Sequence, residues 1–438
     1  MKQKTKIFSL CAVALAVVAV IVGLVLATGM RRGTSPESIE AASSGSEPAK
    51  ETAASSGSGE SAPASESSEA SDPAPEPSKE PFVADRSEVF AILADMNVGW
   101  NLGNTFDAIG STSVLAETYW GNPKTTKEMI DAIAAQGFNT IRIPVSWKDH
   151  VGNAPDYKID PLWLNRVQEV VDYCVANDLY IIMDTHHEPD GWLVPDPEKY
   201  DKVSEQLKAI WTQIAEHFKE YDKKLIFEGM NEPRTKGTEK EWSGGTEKEQ
   251  GVVNKLNKDF VDAVRATGGN NADRILIICP YGNNNGYKVL KNLMIPEDNN
   301  IAVAVHLYTP YFFTYQPESG NINEWTGAKK GEIVSAMKSV DQYLIKKGVP
   351  AIITEFGAVH KIYESDGKQV DNEEQVLLWL EDYLTTTESF GIPCVWWDNG
   401  VYTGSGEKFG IFNRRECTWY SQNIADALIR LTTDDTQE

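Results

Sequence analysis

From residue 82 onward, short apolar runs alternate with longer segments of helical period. The runs are VGWNLGN (98–104), TIRIPVSW (140–147), YIIMDTHH (180–187), LIFEGMNE (225–232), RILIICP (274–280), IAVAVHLY (301–308), PAIITEFG (350–357) and PCVWWDNG (393–400). Val, Ile and aromatic residues dominate them, as in strands buried on both faces. Between the runs, PLWLNRVQEVVDYCVAND brings Leu162, Val167, Val170, Val171 and Cys174 close to one helical face. EIVSAMKSVDQYLIKKG and EEQVLLWLEDYLTTTESFG repeat that pattern. Strands alternating with helices predict parallel βαβ units, and eight of them over about 350 residues predict a (β/α)8 TIM barrel. The rival is an open doubly wound sheet, but no G-x-G-x-x-G opens a helix.

Nearly every run ends in polar residues: Asn101 and Asn104; Arg142; Asp184, His186 and His187; Asn231 and Glu232; His306 and Tyr308; Glu355; Trp397 and Asp398. In a barrel these ends meet at one face, where active sites form. The stretch LIFEGMNEPR (225–234) poses the chemical question most sharply, because Glu228, Asn231 and Glu232 follow an apolar strand start. Buried carboxylates are costly unless paired or functional. Glu232 and Glu355 each cap an apolar run, and Arg142 is available to pair with one of them. Two such carboxylates fit glycoside cleavage, which needs one protonated acid for the leaving oxygen and one carboxylate across the sugar. The expectation is that burial and nearby negative charge raise Glu232 and keep it protonated, while Arg142 sits beside Glu355. Asn231 is expected to donate to a sugar hydroxyl. Glu228 is expected to pair with a basic group below the cleft.

Other chemistries find less support. In DTHHEPDGW, Asp184, His186 and Glu188 alternate, so an extended strand would set three metal donors on one face. Yet the chain has six His in all, and His150, His217 and His360 fall in loops or helices. His186 and His187 are therefore read as hydrogen-bonding groups, with no metal and no cofactor. Neither a G-x-S-x-G elbow nor a P-loop occurs. Trp120, Trp192, Trp242, Trp325 and Trp397 fall in loops or strand tops and are candidate sugar platforms; Trp100, Trp163, Trp211 and Trp379 read as core.

Composition narrows partners and location. With 64 acidic against 41 basic residues, the net charge of −23 argues against nucleic acid. Residues 1–30 carry three lysines and then 24 uncharged, mostly apolar positions, about 36 Å as a helix. That is enough to span a membrane and longer than a usual signal core, so an N-terminal anchor is expected over a cleaved signal peptide. Residues 31–81 are rich in Ser, Ala, Glu and Pro, with too little to bury, and are expected to form a disordered linker. The expected arrangement is a folded domain over 82–438, monomeric, extracellular and either secreted or tethered to the cell surface. Cys174, Cys279, Cys394 and Cys417 show no C-x-x-C spacing, and no bridge is expected.

VGWNLGNTFDA, AETYWGNP, NTIRIPVSW, DTHHE, FEGMNEPR, HLYTP, ITEFG and VWWDNG, in this order, resemble glycoside hydrolase family 5. The nearest likeness is to its subfamily 4 of bacterial endo-β-glucanases, xyloglucanases and lichenases, and it spans residues 82 to about 435. The resemblance implies retaining hydrolysis of internal β-1,4 bonds in a β-glucan, with Glu232 as general acid/base and Glu355 as nucleophile. It implies that Arg142 and Tyr308 steady the nucleophile and that Asn231 holds the 2-hydroxyl. His186, His187, His306 and Trp397 would line the same subsite, with Asn104 and Trp120 further along. A silent glycan-binding barrel and a metal-dependent barrel hydrolase are the alternatives.

Overall fold

The computed structural model describes residues 82–315 and 321–433. The anchor expected over 1–30 and the linker expected over 31–81 lie outside the described residues. Eight parallel strands close into a barrel in sequential order: β1 (Val98–Asn101), β2 (Thr140–Ile143), β3 (Tyr180–Asp184), β4 (Leu225–Glu228), β5 (Leu276–Ile278), β6 (Ile301–His306), β7 (Ala351–Phe356) and β8 (Cys394–Trp396). Each is shorter than its apolar run: Asn101, Arg142, Asp184, His306 and Glu355 still lie in strand, whereas Asn104, His186, His187, Asn231, Glu232, Tyr308, Trp397 and Asp398 follow after the chain has left the ladder.

The apolar runs resolve into two faces of period two. Ile181, Met183, Leu225, Phe227, Leu276 and Ile278 point outward into the core shared with the helices. Ile182, Ile226, Ile277, Ala302, Ala304, Ile352 and Val395 point inward and fill the barrel. The helix Ser87–Asp95 plugs its lower end with Val89, Ile92 and Leu93, with Met96 just beyond it. Gly99 takes an inward position on β1 because any Cβ there would stand 2.9 Å from Val395 and 3.1 Å from Thr140. One step above this apolar layer the strands carry polar groups: Asn101, Arg142, Asp184, Glu228, Thr354.

Six of the seven crossovers between these strands contain a helix of ten residues or more, and another, Gln422–Thr433, follows the last strand. Pro161–Val175 is typical: the Asp160 side chain accepts from Leu162 N–H at its start, and Trp163, Val167, Val170, Val171 and Cys174 form its buried stripe. Leu162, expected on that stripe, is 66 % exposed; at the N-terminal end of the helix it points away from the barrel. The crossover after β5 is the exception. It holds a 3-10 turn, Tyr281–Asn283, and a single α-helical turn, Tyr287–Leu290, because NNNGYKVLKNLMIPEDNN contains no sustained apolar period. After β7 an antiparallel hairpin, Ile362–Ser365 with Lys368–Asp371, stands out from the barrel. The four cysteines of the barrel are unpaired. Among the described residues no helix is long and apolar enough to cross a membrane.

One irregularity sits beside the expected chemistry. Val305 pairs with Ile353 but His306 pairs with Glu355, so β7 holds one extra residue against β6. Against β8 it does the same, Cys394 opposing Ile353 and Trp396 opposing Phe356. Such a bulge re-aims the side chain that follows it. Here it lets Thr354 and Glu355 both address the barrel interior: Thr354 Oγ1 donates to Glu228 Oε1 (3.2 Å) and Glu355 Oε1 accepts from Arg142 (2.9 Å).

Candidate active site

Arg142 organises the upper layer. Its five N–H donors all have acceptors: Nε meets Glu228 Oε2 (2.6 Å), Nη1 meets Asn101 Oδ1 (3.1 Å) and Glu355 Oε1 (2.9 Å), and Nη2 meets Asn231 Oδ1 (2.8 Å) and Asp184 Oδ2 (2.7 Å). The guanidinium is wholly buried. Burial works against its charge, but Glu228, Asp184 and Glu355 outweigh burial and hold it protonated well above the ordinary range. One cation cannot neutralise three buried carboxylates. Burial accordingly wins at the acids and pushes Asp184 up to about 6 and Glu228 upward as well, against the pull of Arg142. Glu228 thus has the buried basic partner expected of it.

From Arg142 the order of the site propagates outward. Asp184 Oδ1 accepts from Val145 N–H (2.9 Å), while Oδ2 accepts from His186 Nδ1 (2.8 Å). Burial, then the neighbouring charge of His187, push His186 down to about 3, so it is a neutral imidazole with its proton on Nδ1 and a lone pair on Nε2. Asn231 Nδ2 lies 3.5 Å from that Nε2, and Asn231 Oδ1 is taken by Arg142. The amide is therefore oriented with its NH2 toward the open side. His186 stacks flat on Trp397, centroids 5.6 Å apart and planes within 4°. Behind Trp397 the backbone comes so close that a Cβ on Gly103 would stand 2.8 Å from the indole and 2.8 Å from the Asp398 carbonyl.

Asp398 closes the barrel at this point. Its Oδ2 accepts from Trp100 Nε1, Ile411 N–H and Phe412 N–H, and its Oδ1 from Gly400 N–H and Arg414 Nη2. Arg414 in turn donates to Gly103 O (2.8 Å) and Thr105 Oγ1 (2.7 Å), tying the tip of β8 to the tip of β1.

Glu232 and Glu355 face each other across His306. His306 Nδ1 is 2.9 Å from Glu232 Oε1 and 3.4 Å from Glu355 Oε2, and one oxygen of each carboxylate lies within 4.8 Å of the other. Tyr308 donates to Glu355 Oε2 (3.0 Å). Glu232 sits at φ 46°, in the left-handed region that a side chain seldom adopts. Its N–H is held by Asn283 Oδ1 (2.8 Å), and Arg234 Nη1 binds both its Oε2 (3.2 Å) and its carbonyl (3.0 Å). A strained conformation that the surroundings enforce in this way is common where geometry serves function.

The charge of Glu232 corrects the sequence expectation. Burial alone would raise its carboxyl, but the His306 hydrogen bond, then the charges of His306 and Arg234, hold it at about 2. His306 moves the other way: burial opposes its charge, and Glu355 and Glu232 more than compensate. The pair holds a shared proton, which rests on the imidazole.

All nine of the inner candidates converge: Arg142, His186, His187, Asn231, Glu232, His306, Tyr308, Glu355 and Trp397. Trp120 and Asn104 belong to the rim. Trp120 is 40 % exposed, its ring 5.4 Å from His187, and Asn104 (φ 53°) joins the same rim through its N–H on Asp107 Oδ2 (3.0 Å). The alternation of Asp184, His186 and Glu188 weighed as a metal set in DTHHE is not kept in the fold. β3 ends at Asp184, and Glu188 accepts from Trp147 N–H, Lys148 N–H and Trp192 Nε1. Asp107, His186 and His187 bring one donor atom each within 4.8 Å, but Asp190 and Asp107 raise His187 against the effect of its burial, which favours a proton where a metal needs a lone pair. Of the candidate platforms, Trp325 is buried against Phe313 with its N–H on Asp382, and belongs to the core. Trp242 remains 58 % exposed. Sequence reasoning missed Arg234 and Asn283; Arg234 lay in plain view after Asn-Glu-Pro, whereas nothing in YGNNN marks Asn283.

Comparison with known proteins gives one consistent answer. Residues 100–403 match the family described as Cellulase (glycosyl hydrolase family 5). Endoglucanase A of Ruminococcus albus is 48 % identical over 340 residues, covering 77 % of this chain and 91 % of the relative. Among solved structures, a xyloglucan-specific endo-β-1,4-glucanase from a metagenomic library, in complex with cellotriose, is 53 % identical with a TM-score of 0.75, over 79 % of this chain and 99 % of its own. A broad-specificity endoglucanase of subfamily 4 from Ruminococcus champanellensis, with bound cellotriose, is 40 % identical with a TM-score of 0.73, over 80 % of this chain and 100 % of its own.

Proposed function

Because the chain belongs to glycosyl hydrolase family 5, within its subfamily 4, we propose that it cleaves internal β-1,4 bonds of glucans by double displacement, with Glu355 as nucleophile and Glu232 as acid/base. The observation that carries this reading is the short separation of the two carboxylates, bridged by His306. Retaining enzymes place their carboxyls about 5–5.5 Å apart, whereas inversion needs about 6.5–9.5 Å to admit a water.

In the first step Glu355, oriented by Arg142 and Tyr308, attacks the anomeric carbon while Glu232 protonates the leaving oxygen. In the second, Glu232 takes a proton from a water whose oxygen attacks the anomeric carbon, and the bond to Glu355 breaks to free the sugar and the carboxylate. Asn231 presents its NH2 to the 2-hydroxyl of the sugar at the cleaved bond, because Arg142 holds its oxygen. Trp397, backed by His186, supplies the apolar surface beneath that sugar.

The proton on His306 sets the pH dependence. Glu232 must carry it to act as acid, so kcat/KM falls as the pair loses its last proton, above the ordinary 6.5 of an imidazole. Removing the imidazole leaves Glu232 to hold a proton on its own, with Arg234 opposing it. The alkaline limb of kcat/KM in His306→Asn is expected to move to lower pH by about one unit or more. A limb that stays in place would assign that titration to another group.

Substrate range is tested on a panel of carboxymethyl-cellulose, mixed-linkage glucan, xyloglucan, glucomannan and xylan, reading new reducing ends. Cleavage of one or more glucans is expected, with xyloglucan of particular interest because the solved relative at 53 % identity is specific for it. Silence on every glucan by folded protein overturns the proposal. The uncharged stretch 7–30 and the acidic excess support an exported, monomeric enzyme that works outside the cell on an uncharged polymer.

A further inference from the structure

Asn231 and Glu232 are consecutive, yet both side chains reach into the site, Asn231 to Arg142 and Glu232 to His306. Along an extended strand such neighbours point to opposite faces. What lets both enter is the backbone of Glu232, turned into the left-handed region at φ 46°. In β7 the chain brings Thr354 and Glu355 inward together by a bulge, and the strands on either side hold that bulge in place. After β4 no such support exists, because the ladder has ended at Glu228. A left-handed glutamate persists only where its surroundings impose it.

The support comes from the turn after β5, Tyr281–Asn283. Asn283 Oδ1 accepts from Glu232 N–H (2.8 Å), Gly282 N–H donates to Pro233 O (3.0 Å), and the Tyr281 hydroxyl accepts from Thr235 N–H (2.9 Å). Asn283 is wholly buried and is itself left-handed, at φ 47°, a conformation asparagine tolerates better than most side chains. Its Nδ2 lies 3.5 Å from the carbonyl of Ala304, two residues before His306 on β6. One amide thus joins the backbone of Glu232 to the strand carrying the imidazole that shares its proton. We propose that Asn283 is the positioning residue of the proton donor: it holds the left-handed turn at Glu232 and so aims that carboxyl at the leaving oxygen. The inference rests on the reading of Glu232 as acid/base.

The test uses leaving groups that differ in their need for a proton. Cellopentaose departs through a sugar oxygen that must be protonated, whereas 2,4-dinitrophenyl β-cellobioside departs as a stable phenolate without help. The full chain, Asn283→Gly, Asn283→Asp and Glu232→Ala are assayed on both, and the ratio of kcat/KM on cellopentaose to that on the aryl glycoside is read. Glycine removes the amide while remaining at ease at positive φ, and the ratio does not depend on how much of a preparation is folded. For Asn283→Gly the ratio is expected to fall about a hundredfold, with the aryl glycoside held within about threefold, the mark of a misplaced acid. Asn283→Asp keeps an acceptor for Glu232 N–H and should return the ratio to within about tenfold of the parent. A ratio unchanged in Asn283→Gly, whether both activities hold or both collapse together, overturns the positioning role, as does an Asp variant no better than the Gly variant. Glu232→Ala separates the two readings. If it splits the substrates and Asn283→Gly does not, only the positioning role falls; if it lowers both equally, the reading of Glu232 as the proton donor falls as well.

Discussion

Glu355→Gln is expected to lower turnover on a soluble β-glucan by about 10⁴-fold or more while leaving oligosaccharide affinity within a few-fold. The amide keeps the shape of the carboxylate: its oxygen can still accept from Arg142 Nη1 and its NH2 can donate to the Tyr308 hydroxyl oxygen, so the pocket should stay assembled. What it loses is the anionic oxygen that attacks the anomeric carbon. Reducing-end release measures the first effect and titration calorimetry with cellotetraose the second. Activity within about a hundredfold of the parent would remove Glu355 from the nucleophile role. Loss of affinity together with turnover would mean that the variant had disturbed Arg142 rather than the chemistry.

Arg142→Met should produce the largest loss of stability of any single change in the site. It strands Asp184, Glu228 and Glu355 in the barrel without their shared cation. Breaking a buried ion pair from one side costs about 3–5 kcal/mol. The pH dependence distinguishes this from simple repacking. Asp184 and Glu228 already hold their protons more tightly than ordinary carboxylates, and without Arg142 they hold them more tightly still. Between the unfolded carboxylate value near 4 and these raised values the native variant binds more protons than the unfolded chain, so its stability falls as pH rises. The gap between variant and parent in urea melts should therefore be smallest near pH 5 and widen towards pH 8. A gap of constant size would show that lost packing, not stranded charge, is the cause.

The sequence made the barrel legible because parallel strands are covered on both faces and betray themselves as unbroken apolar runs. The same property blurred their ends: VGWNLGN reads as one unit, yet only Val98–Asn101 is strand, and Asn104 belongs to a turn at positive φ. The catalytic carboxylates were legible as charges where burial ought to forbid them. Their protonation was not. The sign at Glu232 is set by His306, 74 residues away, and by Arg234, whose guanidinium turns back on the carboxylate two positions earlier. Nor does the sequence announce the bulge in β7, since AIITEF carries no glycine or proline to mark it. The fifth crossover shrinks to a short helical turn, Tyr287–Leu290, and the sequence shows this as an absence of apolar period between Asn284 and Asn300.

The clasp of Arg414 on the first strand gives the protein a schedule. Gly103 leaves the ribosome 311 residues before the guanidinium that secures it. At about 5–20 residues per second that interval is about 15–60 s. Until β8 is made, near the end of that interval, the free flank of β1 offers unpaired peptide groups, the kind of margin on which foreign strands can add. The last stave therefore decides when a nascent chain stops being vulnerable to aggregation, and a chain released after β8 but before Arg414 lacks the clasp that ties the closing strand to Gly103.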